Sequence, residues 1–177
     1  MSVLDKVIAS VTPPESDEDR REANRRARAA AGVNDWLSLV LDHHDELREA
    51  FVAVKEAKTD EEQSDAQEEL KLLLMGHAIA EEAVLYPALA LSGEKTHANM
   101  GYTEQATVKI EMAALDNLPR LSREYMDKLE HIEGAVLHHM YEEEGTWFLE
   151  LRMKGSNQEK LTDLYEEEFQ RYVGPEE

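Results

Sequence analysis

Apolar residues recur at three- and four-residue steps in four long stretches of this chain, and capping residues, Gly and Pro separate the stretches. After Asn34, read as a cap, Trp36, Leu37, Val40, Leu41, Leu47, Phe51 and Val54 form one stripe that ends near Lys58, with His44 set into it. Thr59 and Glu62 write a capping box for a second helix. It runs through Leu70, Leu73, Leu74 and His77 to about Tyr86, where Pro87 ends or kinks it and Ser92-Gly93 closes the segment. A third helix starts between Thr96 and Tyr102 and reaches about Leu115, ahead of Asn117-Leu118-Pro119. Ser122 caps a fourth, through Tyr125, Leu129, Ile132, Val136 and His139 to roughly Leu151, with Gly155 behind it. No stretch alternates as a strand does. Four long amphipathic helices on short turns predict an all-α fold, an up-down-up-down four-helix bundle.

The ends add to that core. Val3, Leu4, Val7 and Ile8 make a short apolar patch before Pro13-Pro14, and Ser16 with Asp17, Glu18 and Asp19 starts a helix that Gly32 stops. This helix carries Arg20, Arg21, Arg25, Arg26 and Arg28, and the simplest expectation packs its Ala side on an acidic body. Ser156 and Glu159 read as a capping box for a last amphipathic helix ending at Gly174. The expected organisation is an N-terminal extension over 1–33, the bundle over 34–154 and a C-terminal helix over 155–177, packed on the bundle.

Composition narrows the chemistry. With 177 residues, 42% of them hydrophobic, one domain with a sizeable core is expected. The absence of Cys removes disulfides, thiolate metal sites, iron–sulfur clusters and thiol nucleophiles. A formal net charge of -20 repels phosphates and anionic headgroups, so neither nucleic acid nor a membrane surface is an expected partner. The same charge draws cations to any inward-facing carboxylates. No apolar run approaches the roughly 20 residues of a membrane span, and the first residues lack a signal-peptide layout. A cytoplasmic location is the expectation.

Two segments share one text. His77-Ala78-Ile79-Ala80-Glu81-Glu82 and His139-Met140-Tyr141-Glu142-Glu143-Glu144 both read His-x-x-x-Glu, and in each an apolar residue, an aromatic and a Leu follow at matching places. Residues four apart share a helical face, so each copy aims one imidazole and one carboxylate the same way. A single His-x-x-x-Glu is weak in so acidic a chain, and His138 with Glu142 makes another. Only the His139 frame, however, places Leu85 on Trp147, Tyr86 on Phe148 and Leu89 on Leu151. The repeat extends upstream, because His44 lies 33 residues before His77 and Gln105 lies 34 before His139. Leu47 then matches Val108, Arg48 matches Lys109, and Phe51 matches Met112. Two helical hairpins of this kind bring His44, His77, Glu81, Gln105, His139 and Glu143 into the core at similar depth. Buried imidazoles and carboxylates are costly unless paired or metal-bound, and this mixture suits iron, manganese or zinc.

These residues make the chain resemble the hemerythrin-like proteins of the HHE cation-binding type, over about residues 36–151. The resemblance implies a non-haem di-iron centre of two iron ions, held by His44, His77, Glu81, His139 and Glu143, with Glu81 and Glu143 as bridges. The family's third-helix histidine is replaced by Gln105, preceded by Glu104. A neutral amide oxygen is a weak ligand, which leaves one position to water or Glu104 and argues against reversible oxygen carriage. The implied function is binding or reducing a small species (oxygen, peroxide or nitric oxide), or sensing iron or oxygen. The alternative is a non-enzymatic metal-binding, storage or interaction protein with a structural site, its end helices available for a homodimer or a partner. The Glu-x-x-His spacing of ferritin-like proteins is missing from both motif helices, and His-Glu-x-x-His is absent.

The other histidines take plainer expectations. His43 and His138 lie about 100° round the helix from the ligand stripe and belong at the surface or behind the ligands. His131 shares a face with His138, which makes the two a candidate accessory pair, and His97 falls near a helix start. Tyr102, one turn before Gln105, is expected in the core, with the pocket as the alternative.

Overall fold

The computed structural model of the protein describes residues 15–174, so the apolar patch at Val3–Ile8 and Pro13-Pro14 lie outside the described residues. The described chain is helical with no strand: α1 (Asp17–Ala30), α2 (Trp36–Glu56), α3 (Asp60–Ala80), α4 (Tyr86–Leu91), α5 (Lys95–Leu115), α6 (Arg123–Glu142), α7 (Phe148–Lys154) and α8 (Gln158–Val173). Helices α3 and α4 form one continuous rod through a π-helical turn, Glu81–Leu85, and α6 and α7 do the same through Glu143–Trp147. The four rods α2, α3–α4, α5 and α6–α7 are the expected bundle, with α1 and α8 packed on it.

Local chemistry sets most of the boundaries. Ser16 and Asp19 form a reciprocal capping box, as do Thr59 and Glu62, and the Ser122 hydroxyl accepts from the Tyr125 amide. Two caps differ from the sequence reading. Asn34 sits at φ 54° and the helix is capped by Asp35, which accepts from the Ser38 amide. Asn157 is also left-handed at φ 57° and precedes α8 directly, so Ser156 and Glu159 form no box. Asn tolerates that conformation better than most residues, which places both chain reversals there.

Pro87 does not end its helix. A π turn bonds residue i to i+5, so the Glu82 carbonyl faces the nitrogen of Pro87, which has no hydrogen to give. The Tyr102 hydroxyl fills that role, donating to the Glu82 oxygen at 2.7 Å. Tyr102 is therefore neither core nor pocket. It is 39% exposed and lies edge-on to Tyr86 with ring centroids 5.2 Å apart.

The run Asp60–Leu91 is long and apolar enough, by length and composition, to cross a membrane, where the sequence reading found no such run. Here it is a bundle rod. Its apolar side contributes Leu70 and Leu74 to one hydrophobic cluster and Ala80, Val84, Leu85 and Leu89 to another.

The two clusters flank a polar layer. Leu41 belongs to one and Leu47 to the other, with His44 between; Leu74 and Ala80 bracket His77; Ala98 and Val108 bracket Gln105; Met140 and Trp147 bracket Glu143. Every rod of the bundle changes from apolar to polar at the same depth.

The terminal helices cover the two π turns, one each. Helix α8 packs on Glu81–Leu85 and α1 on Glu143–Trp147. Gly76 permits the approach of α8, because a Cβ there would stand 2.6 Å from a Val173 methyl, whereas at Gly145 a Cβ would only touch the Ala23 Cβ, at 3.6 Å. Ala23 and Ala27 are the buried side of α1, and Arg28 reaches Asp42 and Asp45 on α2, as the acidic body predicts.

Candidate metal centre

All six residues singled out by the repeat are buried in the polar layer: His44, Glu81 and Glu143 are fully enclosed, and His77, Gln105 and His139 nearly so. One donor atom from each of His44, His77, Glu81 and Glu143 lies within 4.8 Å of the others. His77 Nε2 is 3.3 Å from Glu81 Oε2, and His139 Nε2 is 3.3 Å from Glu143 Oε1, so each His-x-x-x-Glu pair converges as four-residue spacing requires.

The hairpins also reach across to each other in matched pairs. His44 Nε2 lies 3.3 Å from Glu143 Oε2, and in the equivalent place Gln105 Nε2 donates to Glu81 Oε2 at 2.5 Å. Behind them, Arg48 bonds Glu144 at 2.7 Å, and its counterpart Lys109 bonds Glu82 at 2.6 Å. The repeat is thus a spatial pseudo-twofold. Gln105 occupies the place that His44 holds in the other half.

Each histidine is oriented through its second nitrogen. His44 Nδ1 meets Glu144 Oε1 at 2.8 Å, His139 Nδ1 meets Glu104 Oε2 at 2.7 Å, and His77 Nδ1 meets the Tyr165 hydroxyl at 3.2 Å. Such partners fix the tautomer that turns Nε2 toward a cation. Glu104 consequently stands behind His139, whereas sequence reasoning considered it for a ligand. The Tyr165 hydroxyl also meets His43 Nδ1 at 2.8 Å, and His43 stacks on Phe169. His43 is therefore a buried contact of α8. Burial, with the charge of His44 beside it, depresses His43 to about 4. Tyr165→Phe leaves two buried imidazole nitrogens without a partner, and metal affinity is expected to fall about 10-fold or more, read by competition with a chelator.

Sequence reasoning assigned no part in the site to Glu144, Tyr165 or Tyr86. The Tyr86 hydroxyl lies 2.9 Å from Glu143 Oε1, 3.0 Å from His139 Nε2 and 2.7 Å from Gln105 Nε2. The π turn accounts for this position. At 3.6 residues per turn, positions five apart are about 140° apart on a helix. Closing the backbone from the Tyr86 amide to the Glu81 carbonyl instead returns Tyr86 to the face of Glu81. In the same way, the second π turn lets both Glu143 and Glu144 face inward. The available signal was the alignment of Tyr86 with Phe148, which puts a hydroxyl in one copy only.

The electrostatics are those of a cation site. Burial alone would depress His44, yet Glu143 and Glu144 hold it up at about 9. Burial acts the same way on His139, and Glu143 and Glu104 outweigh it. Burial opposes ionisation of Glu143, but His139 and His44 on either side bring it well below the carboxylate range. Glu81 is pushed up by burial and by the Glu143 charge. His77 is pushed down by burial and by His44. Meanwhile His44 Nε2, Glu81 Oε1, Glu143 Oε2 and Gln105 Oε1 are buried with no hydrogen-bond partner. Orphaned polar atoms are expensive. His44, Glu81 and Glu143 each put a donor atom into the group that lies within 4.8 Å, which fits a metal ion, and the histidine and carboxylate set suits iron, manganese or zinc.

The remaining histidines lie elsewhere. His138 is exposed and bonds Glu15 at 2.9 Å, and His131 is exposed on the same helix. His97, on α5, stacks on Trp147 and meets Glu150 at 3.0 Å.

Neither the curated proteins nor the solved structures gave a match to this chain. The family description "Hemerythrin HHE cation binding domain" does match, over residues 35–167. That span takes in all four bundle rods, the six buried polar residues, Glu144 and Tyr165. The chain belongs to the hemerythrin HHE cation-binding domain family.

Proposed function

We propose that the protein is a non-haem di-iron protein that binds or reduces a small oxygen or nitrogen species. One observation carries this reading most: four enclosed donor atoms from four rods, on residues paired across a pseudo-twofold, make no hydrogen bond among the described residues. His44, His77, Glu81 and Glu143 would hold one ion, and His139, Glu143, Glu81 and Gln105 the other, with both glutamates shared. Iron there would supply an electron-exchanging Lewis acid. The chain's residues do the rest. Glu144, Glu104 and Tyr165 orient the imidazoles, and the two hydrophobic clusters keep bulk water from the layer. Gln105, in place of an imidazole, leaves the second half the less strongly ligated one.

Cation binding is expected to release protons, because His44 and His139 carry them at neutral pH and must lose them to coordinate. Calorimetric titration in two buffers of different ionisation enthalpy counts those protons, and affinity should fall as pH is lowered from about 9, where His44 begins to take up its proton.

A second reading, a structural or storage site without redox chemistry, is favoured by the nearly complete enclosure of the donors. Peroxide separates the two. Iron-loaded protein should change its visible spectrum on peroxide addition, and His77→Ala should abolish the change. A spectrum indifferent to peroxide selects the structural reading.

A further inference from the structure

We infer that the Tyr86 phenolic oxygen is itself a ligand of the ion in the Gln105 half, making that half a tyrosine, histidine and carboxylate site. The inference rests on the di-iron reading above and specifies its weaker half. Donor atoms bound to one ion at about 2.0–2.2 Å and at right angles to each other stand about 3 Å apart. The Tyr86 oxygen keeps that spacing from His139 Nε2 at 3.0 Å and from Glu143 Oε1 at 2.9 Å, and Glu81 Oε2 lies at 3.3 Å. It would supply one further donor to an ion held by those atoms.

Two further observations show that the placement is built in. Tyr86 is fully buried although it follows a glutamate-lined turn, because the π turn swings it onto the ligand face. Its ring also lies in a notch on α5. A Cβ on Gly101 would stand 2.6 Å from the ring carbon bearing the hydroxyl, so a side chain there would displace the phenol. The pseudo-twofold counterpart, Phe148, has no oxygen and packs edge-on to Trp36 at 5.7 Å. The hydroxyl therefore appears only in the half where Gln105 stands for an imidazole. A phenolate supplies the anionic donor that the amide does not. Coordination exchanges the O–H bond for an O–metal bond, releases one proton to solvent and transfers no electron.

The test is the visible absorption and resonance Raman spectrum of the diferric protein, with iron counted in the same sample. Two irons per chain with tyrosinate vibrations in the wild type, lost in Tyr86→Phe and kept in Tyr125→Phe, whose hydroxyl bonds Gln67 away from the polar layer, is the expected result. Gly101→Ala, which displaces the ring while keeping the hydroxyl, should weaken or abolish the same vibrations. Two irons per chain with no tyrosinate signal, or a signal that survives Tyr86→Phe, overturns the inference and leaves the di-iron reading intact. Fewer than one iron per chain overturns both.

Discussion

Glu143→Ala is expected to abolish binding of two ions, leaving at most one per chain, with affinity for the remaining ion down by more than about a hundredfold. Outer partners of metal ligands already cost 10–100-fold. Glu143 is more central than any of them. Its two oxygens lie 3.3 Å from His44 in one hairpin and 3.3 Å from His139 in the other, and no other carboxylate of the layer approaches a histidine of both hairpins as closely. Removing it also leaves two imidazoles, raised by that carboxylate, without their shared counter-charge. A buried pair broken on one side costs about 3–5 kcal/mol. Metal analysis after equilibrium dialysis reads the first effect, and denaturant unfolding of the chelator-treated protein reads the second. Glu143→Gln keeps the shape while removing the charge. If its metal content matched the wild type, the carboxylate would not be a ligand.

The largest effect on stability is expected from Trp36→Ala. Trp36 is fully buried at the start of α2, packs edge-on against Phe148 and donates from its indole nitrogen to Gln158 at 2.7 Å. It thereby joins the first rod, the end of the second motif and the start of the C-terminal helix. Truncating a buried Trp costs about 3–5 kcal/mol. At roughly 2–4 °C per kcal/mol for a chain of this size, the melting temperature should fall by about 10 °C. Because α8 carries Tyr165 to His77, metal affinity should weaken in the same variant. A melting temperature within 2–3 °C of wild type would show that this corner is not where the bundle and its outer helices are joined.

The bundle was legible in the sequence because amphipathic spacing and side-chain caps are local signals. The stripes from Trp36 to Val54 and from Tyr125 to His139 need only residues three and four apart, and Ser16, Thr59 and Ser122 cap within three residues. The pairing of the halves was legible for another reason: two copies of one motif, set against each other, fixed the His139 register and matched Arg48 with Lys109. The structure turns that match into two equivalent ion pairs.

What stayed hidden depended on backbone geometry outside the 3.6-residue period. Two π turns shift the face of everything after Glu81 and Glu143. A straight-helix reading therefore gave neither Tyr86 nor Glu144 a role at the site and had the helix end or kink at Pro87. Tyr165 and Tyr102 were hidden because their partners, His77 and the Glu82 carbonyl, are 88 and 20 residues away. The caps at Asp35 and Asn157 were misplaced because a left-handed Asn can reverse the chain without using its side chain as a cap.

The most direct test of the central claim is the number of ions the protein holds. Chelator-treated protein titrated with ferrous iron without oxygen, then desalted and analysed for metal, should retain two ions per chain. Retention of less than one ion per chain would contradict the account, because the converging orphaned donors of His44, Glu81 and Glu143 would then have some other purpose.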